Sequence, residues 1–243
     1  MSLAVKPNHL KLTALCAGVL GLMLRAALFA TGLDEKALLV DGHWADSAVW
    51  LLTAAVIGAI FFLLRRCAGP ETYGDAFPAS ALRAVGSVVA ACGFLLSGAS
   101  AAPGSQFVMA ERILRILAAA ALVAVAYCRF RGKKPSILLH STICLYLALR
   151  MVCRYQLWSA DPQLQNYAFF LGAHVALMLS CYQLAAFDAD CGNHRSLWGW
   201  SLGAIYLCLT ALPGSEEPFF LLCCALWMLT SASNLTPVTP KGD

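Results

Sequence analysis

Arg25, Arg112, Arg115, Arg150 and Arg154 fall within or at the edge of long apolar runs, and Glu111 is the one carboxylate those runs contain. An ionised side chain inside a bilayer costs about 2.5 kcal/mol or more, so it normally faces a partner, a wet cavity or a ligand. Arg150 and Arg154, four residues apart, share one helix face, and Glu111 stands four residues before Arg115. One carboxylate does not neutralise five guanidiniums. The surplus points to a site for a phosphate, a carboxylate or a lipid headgroup, to which guanidinium geometry is well suited. His174, eight residues into a later run, lies at a similar depth and is a further candidate. The competing reading lets these arginines snorkel to headgroups, satisfy carbonyls at helix ends, or pair with Glu111 or Asp161. A lone buried histidine, likewise, is more often a hydrogen-bonded packing residue than a ligand-binding one.

A second constellation is the turn Asp188-Ala-Asp190-Cys191-Gly192-Asn193-His194-Arg195. Asp188, Asp190, Cys191 and His194 are of the types that ligate divalent metals, but their spacing matches no paired-ligand signature. Local structure accounts for the segment better: a helix stop at Gly192, a turn at Asn193, an N-cap at Ser196, and aspartates that pair with basic residues of neighbouring loops. No metal or other cofactor is expected. Walker A and HExxH motifs are absent, as is any aspartate pair within the apolar runs. No nucleophile and base can be named, and an enzyme is the third choice of function.

The elements that must carry these residues are membrane helices. Of 243 residues 60% are hydrophobic and 12% charged, and the apolar residues fall in blocks near the roughly 20 residues that span a hydrocarbon layer. The expected fold is an all-α polytopic transmembrane bundle, a single domain over 1–243. Eight spans are expected, at about 12–32, 47–64, 82–101, 107–127, 136–155, 166–187, 196–212 and 218–233. The last two form a hairpin around Pro213-Gly214-Ser215-Glu216-Glu217 and are the shortest, leaving six or seven spans as the fallback. The first run, although preceded by Lys6 and Lys11, is too long for a signal-peptide core and carries Arg25.

Cytoplasmic loops carry the excess of Lys and Arg. With the N-terminus inside, that side holds Lys6, Lys11, Arg65, Arg66, Arg83, Arg129, Arg131, Lys133, Lys134, Arg195 and Lys241, against Lys36 outside. Both termini are therefore expected in the cytoplasm and the five intramembrane arginines in the outer half. The net charge of +4 serves orientation rather than nucleic acid, since no basic stripe with interleaved aromatics exists. Most of the eleven cysteines, among them Cys92, Cys144, Cys208, Cys223 and Cys224, lie in apolar runs as small hydrophobes, and no structural disulfide is expected.

All ten prolines lie in loops, tails or span ends, which weighs against a transporter with helices broken at mid-membrane. Gly199 and Gly203 form a GxxxG, and Gly93 with Ser97 a second small-residue face, suited to close helix contacts within the chain, in a homo-oligomer or with a membrane-protein partner. Trp44, Trp50, Trp158, Trp198, Trp200 and Trp227, with Tyr155 and Tyr167, read as an interfacial aromatic belt.

The stretch Arg150-Met-Val-Cys-Arg-Tyr-Gln-Leu-Trp-Ser-Ala-Asp-Pro-Gln-Leu-Gln-Asn-Tyr167, with Ala185-Ala-Phe-Asp-Ala-Asp-Cys-Gly-Asn-His-Arg195, resembles a family of uncharacterised multi-spanning membrane proteins of clostridial-type bacteria. The resemblance covers mainly the last hundred residues. It implies a plasma-membrane location and carries no activity or site residues. Two functions remain in view: binding or transport of an anionic small molecule or lipid through the outer arginines, or a non-enzymatic scaffold or accessory subunit acting through its small-residue faces.

Overall fold

The computed structural model describes residues 7–32, 39, 43–65, 67–69, 73–98, 107–159, 167–233 and 236–237. The expected charges at Lys6, Lys36, Arg66 and Lys241, together with Asp161, lie outside the described residues. Each of the eight apolar runs forms a helix: α1 (Pro7–Thr31), α2 (Trp44–Leu64), α4 (Ala81–Leu96), α5 (Phe107–Arg131), α6 (Ile137–Trp158), α7 (Ala168–Asp188), α8 (His194–Thr210) and α9 (Pro218–Ser231). A one-turn helix, α3 (Tyr73–Ala76), was not anticipated. Beside it a two-residue antiparallel pairing joins β1 (Cys67–Ala68) to β2 (Thr236–Pro237).

Five helices, α1, α2, α5, α6 and α7, are long and apolar enough to cross a membrane. The other three fall short of 18 residues: α4 has 16, α8 has 17 and α9 has 14. At 1.5 Å per residue α4 extends about 24 Å, less than a hydrocarbon layer of roughly 30 Å. Length therefore separates α4, as well as the expected short pair, from the rest.

Helices α4 to α9 pack each against the next, and α9 closes on α4, so the six make a ring. Glycines explain the closure. A Cβ on Gly93 would lie 2.5 Å from Cys223 Cβ, and one on Gly86 1.8 Å from Thr230 Oγ1, so α4 and α9 approach at distances only glycine permits. Helix α1 docks on α8 in the same manner, with Gly18 against Leu209 and Gly21 against Thr210. Helix α2 contacts α1 and α8 at the periphery, and only 17% of its most apolar window is buried, against 56% for α7. That makes α2 the most lipid-facing of the five long helices.

Inside the ring an aromatic cluster joins three helices: Phe94 lies 5.1 Å from Tyr146 and 5.4 Å from Phe220 between ring centroids, and Trp227 meets it edge-on. Outside, Leu51, Phe61, Leu96, Ile116, Phe130 and Leu138 are exposed, while Glu111, His140, Arg150 and His174 are wholly buried. Apolar residues outside and ionisable ones inside reverse the arrangement of a soluble protein and suit a hydrocarbon solvent. The tryptophans divide accordingly. Trp44, Trp50 and Trp200 are exposed as a belt requires, but Trp158, Trp198 and Trp227 are buried, and the Trp198 indole donates to Ser233 Oγ at 2.9 Å.

The ring has two distinct ends. At the basic end lie Arg65, Arg129, Arg131, Lys133, Lys134 and Arg195; the hairpin end carries the α8–α9 turn. Gly214 makes that turn with φ 74°, a left-handed conformation that favours glycine. At the basic end α7 stops differently than expected. The left-handed residue is Asp190 (φ 57°) rather than Gly192, with Cys191 N–H donating to Ala186 O and Asp190 N–H to Phe187 O, a Schellman closure that an aspartate tolerates. Gly192 instead leaves room for the Phe187 ring, which a Cβ would meet at 2.3 Å. The N-cap of α8 is Asn193, not Ser196: its side chain accepts from the N–H groups of Arg195 and Ser196, so the cap falls earlier than expected and the helix begins at His194.

Candidate functional site

At the hairpin end, α6 presents Arg150 and Arg154 one turn apart toward the start of α9. Glu217, at the N-cap position of α9, bridges both: Oε2 accepts from Arg150 Nη2, and Oε1 from Arg154 Nη2 at 2.5 Å. Glu216 accepts from Arg154 Nη1. Arg150 Nη1 donates to Tyr146 Oη at 2.8 Å, Ser97 Oγ at 3.2 Å and Gly98 O at 3.5 Å, and lies 3.6 Å from Glu111 Oε1. Arg115 Nη1 donates to Ser97 O at 2.5 Å. The carbonyls of Ser97 and Gly98, where α4 ends short, are thus taken up by guanidiniums of α5 and α6. Removing one partner from such a buried network leaves an uncompensated charge and costs about 3–5 kcal/mol.

Three of the five sequence-selected arginines therefore converge, and they meet three carboxylates. Glu111 was anticipated as a partner; Glu216 and Glu217 come from the hairpin turn, more than sixty residues from Arg150 and Arg154 along the chain. Arg25 lies on the far side of that turn. Its guanidinium sits over the rings of Phe169 (4.8 Å) and Phe29 (5.3 Å), under the electrostatic influence of Asp46, and it shares a small cavity wall with Gly214 and Glu216. Arg112 is exposed on the outer face of α5. His174 is fully buried, with Nδ1 donating to Phe170 O at 3.0 Å and its ring stacked on Phe220. An open cavity of about 350 Å³ adjoins the network, lined by Ser97, Gly98, Arg154, Glu216, Glu217 and Phe219 among others. It offers an anion one guanidinium, Arg154, whose partner Glu216 has 58% of its side chain exposed; Glu217, which also lines the cavity, is 8% exposed and Arg150 lies behind it at 0%.

The basic end holds a cluster that sequence reasoning missed. His140 Nδ1 donates to Asp188 Oδ2 at 2.5 Å, both side chains wholly buried, joining the start of α6 to the end of α7. Arg129 of α5 stacks over Phe77 at 3.9 Å and Tyr73 at 5.4 Å, while Phe77 meets Phe187 edge-on. Tyr73 Oη, Arg129 Nη1, His140 Nε2 and Asp188 Oδ1 are buried without a hydrogen-bond partner. Burial pushes the Tyr73 phenol up to about 12, against a downward pull from Arg129. The Asp188 carboxylate orients His140 with the proton on Nδ1, leaving Nε2 as an acceptor. No spacing rule links positions 73, 129, 140 and 188; only the folded ring brings them together.

Of the metal-type residues in the 188–195 turn, Asp188 is engaged by His140, and Asp190 pairs with Lys134 across the exposed surface. The Cys191 thiol turns back on Ala189 O, and His194 lies against Gly69. Among the described residues no group of three or more His, Cys, Asp or Glu is placed to hold a metal ion. The expected small-residue faces also separate. Gly93 is used in the α4–α9 contact; the would-be Cβ of Gly199 has Leu64 Cδ1 at 3.4 Å, and Gly203 has nothing within 4 Å.

Fold and site together define a helical membrane-embedded bundle with ionisable residues sealed inside a ring. Comparison with known protein families, with curated proteins and with solved structures finds no match.

Proposed function

We propose that the protein is a multi-pass plasma-membrane protein with eight crossing helices and both termini cytoplasmic, and that it binds an anionic small molecule or lipid headgroup at its outer, hairpin end. The orientation rests on the basic end, where Arg65, Arg129, Arg131, Lys133, Lys134 and Arg195 gather. Eight crossings are compatible with short α4, α8 and α9 because the ring shields their ends: the Arg115 and Arg150 guanidiniums occupy the carbonyls that α4 would otherwise leave in hydrocarbon.

The observation that carries the binding reading is the inequality between the two hairpin carboxylates that pair with α6. Glu217 is buried and fastened; Glu216 is exposed at the cavity mouth and holds Arg154 as a ligand would. A phosphate or carboxylate entering the cavity exchanges with Glu216 and takes the charge-assisted bond from Arg154 Nη1, while Nη2 stays on Glu217 and Arg150 stays in place behind it. Titration of the purified full chain with inorganic phosphate and with short-chain phosphatidic acid tests this. Glu216→Gln, which removes the competing charge, raises affinity about tenfold, and Arg154→Gln abolishes binding. Unchanged affinity in Glu216→Gln would sink the exchange.

A further inference from the structure

An open apolar groove of about 430 Å³ runs along α8, walled by Ile57 and Phe61 of α2 and floored by Gly199 and Gly203. It shares no lining residue with the Arg154 cavity. Two features give it a chemical polarity. Its floor is open because of glycine: a Cβ on Gly203 would project into empty space, so a side chain there would fill the groove rather than strike the protein. Its mouth is cationic: Arg65 and Arg195 line it at the basic end, and no acidic side chain lines it among the described residues. Arg65 is held over the Phe61 ring at 4.4 Å, and Arg195 Nε donates to Cys67 O at 3.1 Å, so both guanidiniums are stationed at the mouth by contacts of their own.

We propose that this groove seats one anionic phospholipid of the leaflet at the basic end, its phosphate between Arg65 and Arg195 and an acyl chain lying over Gly199 and Gly203. The charge pattern selects that occupant. Guanidiniums favour a phosphate by fork geometry and charge, and the apolar floor needs a chain that free phosphate lacks. A helix of a second protein, about 10–12 Å across with its side chains, would cover the glycine floor with apolar groups and bring no counter-charge to the mouth. The volume lies within the range of about 300–1,000 Å³ found for ligand sites. The GxxxG pair thus serves as the floor of a lipid site rather than as a helix-packing surface.

Trp200, which lines the groove, reports occupancy. Full-length protein in detergent micelles is titrated with phosphatidylglycerol or phosphatidylcholine bearing brominated acyl chains, and the Trp200 signal is taken as the difference from a Trp200→Phe variant. Phosphatidylglycerol is expected to half-quench Trp200 at about one tenth the mole fraction that phosphatidylcholine requires, since each basic residue near a membrane surface attracts anionic lipid substantially. The preference falls to about onefold in the Arg65→Gln/Arg195→Gln double variant, and Gly203→Leu removes quenching by both lipids. Equal quenching by the two lipids in the native protein would mean ordinary annular contact and overturn the site. So would full displacement of phosphatidylglycerol by millimolar inorganic phosphate, or a dimer in which neither lipid reaches Trp200. If Gly203→Leu does not fold, the double arginine variant decides alone, since both substitutions lie at the groove mouth, away from the ring interior.

Discussion

The two ends of the ring bury ionisable residues in opposite ways. At the hairpin end Arg150 and Arg154 meet Glu111, Glu216 and Glu217, and helix-end carbonyls take up Arg115 and a further donor of Arg150. At the basic end His140 and Asp188 hold each other as a single buried pair. Both ends leave buried polar atoms without a hydrogen-bond partner, Tyr73 Oη, Arg129 Nη1, His140 Nε2 and Asp188 Oδ1 at the basic end and Arg150 Nε and Arg154 Nε at the hairpin end, each at a cost of about 1–3 kcal/mol. What sets the hairpin end apart is its set of ion pairs and carbonyl contacts, which fasten α4, α5, α6 and α9 together. Neither burial nor unsatisfied atoms distinguish the two ends; the ion pairs do.

The sharpest way to break this contrast is to remove its most connected member. Arg150→Leu removes the guanidinium that faces Glu217 and Glu111 in the ring, leaving more buried negative charge than positive, and is expected to destabilise the protein by about 3–5 kcal/mol. Unfolding in mixed detergent micelles measures it. Pairing Arg150→Leu with Glu217→Gln should recover part of the loss, because the second change removes one of the carboxylates that faced Arg150. A cost under about 1 kcal/mol for Arg150→Leu would place this end in the class of exposed ion pairs.

How far this architecture was legible in the sequence depends on which forces set each part. Apolar blocks and helices are local, and every run became a helix. The length of α4 and the start of α8 were less legible, because Ser97 and Asn193 end and begin helices through partners that only the ring supplies or through caps easily assigned to Ser196. At the hairpin end the arginines stood out, since charge inside an apolar run is visible one residue at a time. Their partners did not: Glu216 and Glu217 looked like ordinary turn residues until the short α9 carried them down beside α6. The basic-end cluster gave even less signal. Arg129 was counted among the loop cations and Asp188 among the turn acids, and His140 had no neighbour in sequence to mark it.

A smaller effect is expected at the basic end, where Asp188→Asn weakens the His140 contact and leaves Arg129 with less compensation. A loss of about 2 kcal/mol is expected, below that of Arg150→Leu, because the native cluster already tolerates unpartnered atoms. The same unfolding assay ranks the two. Should Asp188→Asn cost more than Arg150→Leu, the basic end would be the principal fastening of the ring.

The smallest expected change separates cost from connection most cleanly. Tyr73 has no hydrogen-bond partner for its hydroxyl, so Tyr73→Phe should change stability near neutral pH by less than about 1 kcal/mol, in either direction. Alkaline pH exposes what the phenol contributes. Desolvation holds the folded Tyr73 at about 12, above the ordinary 10.0. A raised folded value means that ionisation favours the unfolded chain, so the contribution is complete below about pH 10 and declines as pH rises toward about 12. The native protein should therefore lose melting temperature between about pH 10 and pH 12 faster than Tyr73→Phe does. Parallel curves for the two proteins would show that the phenol reaches water in the folded state, and that the basic end is less sealed than the hairpin end.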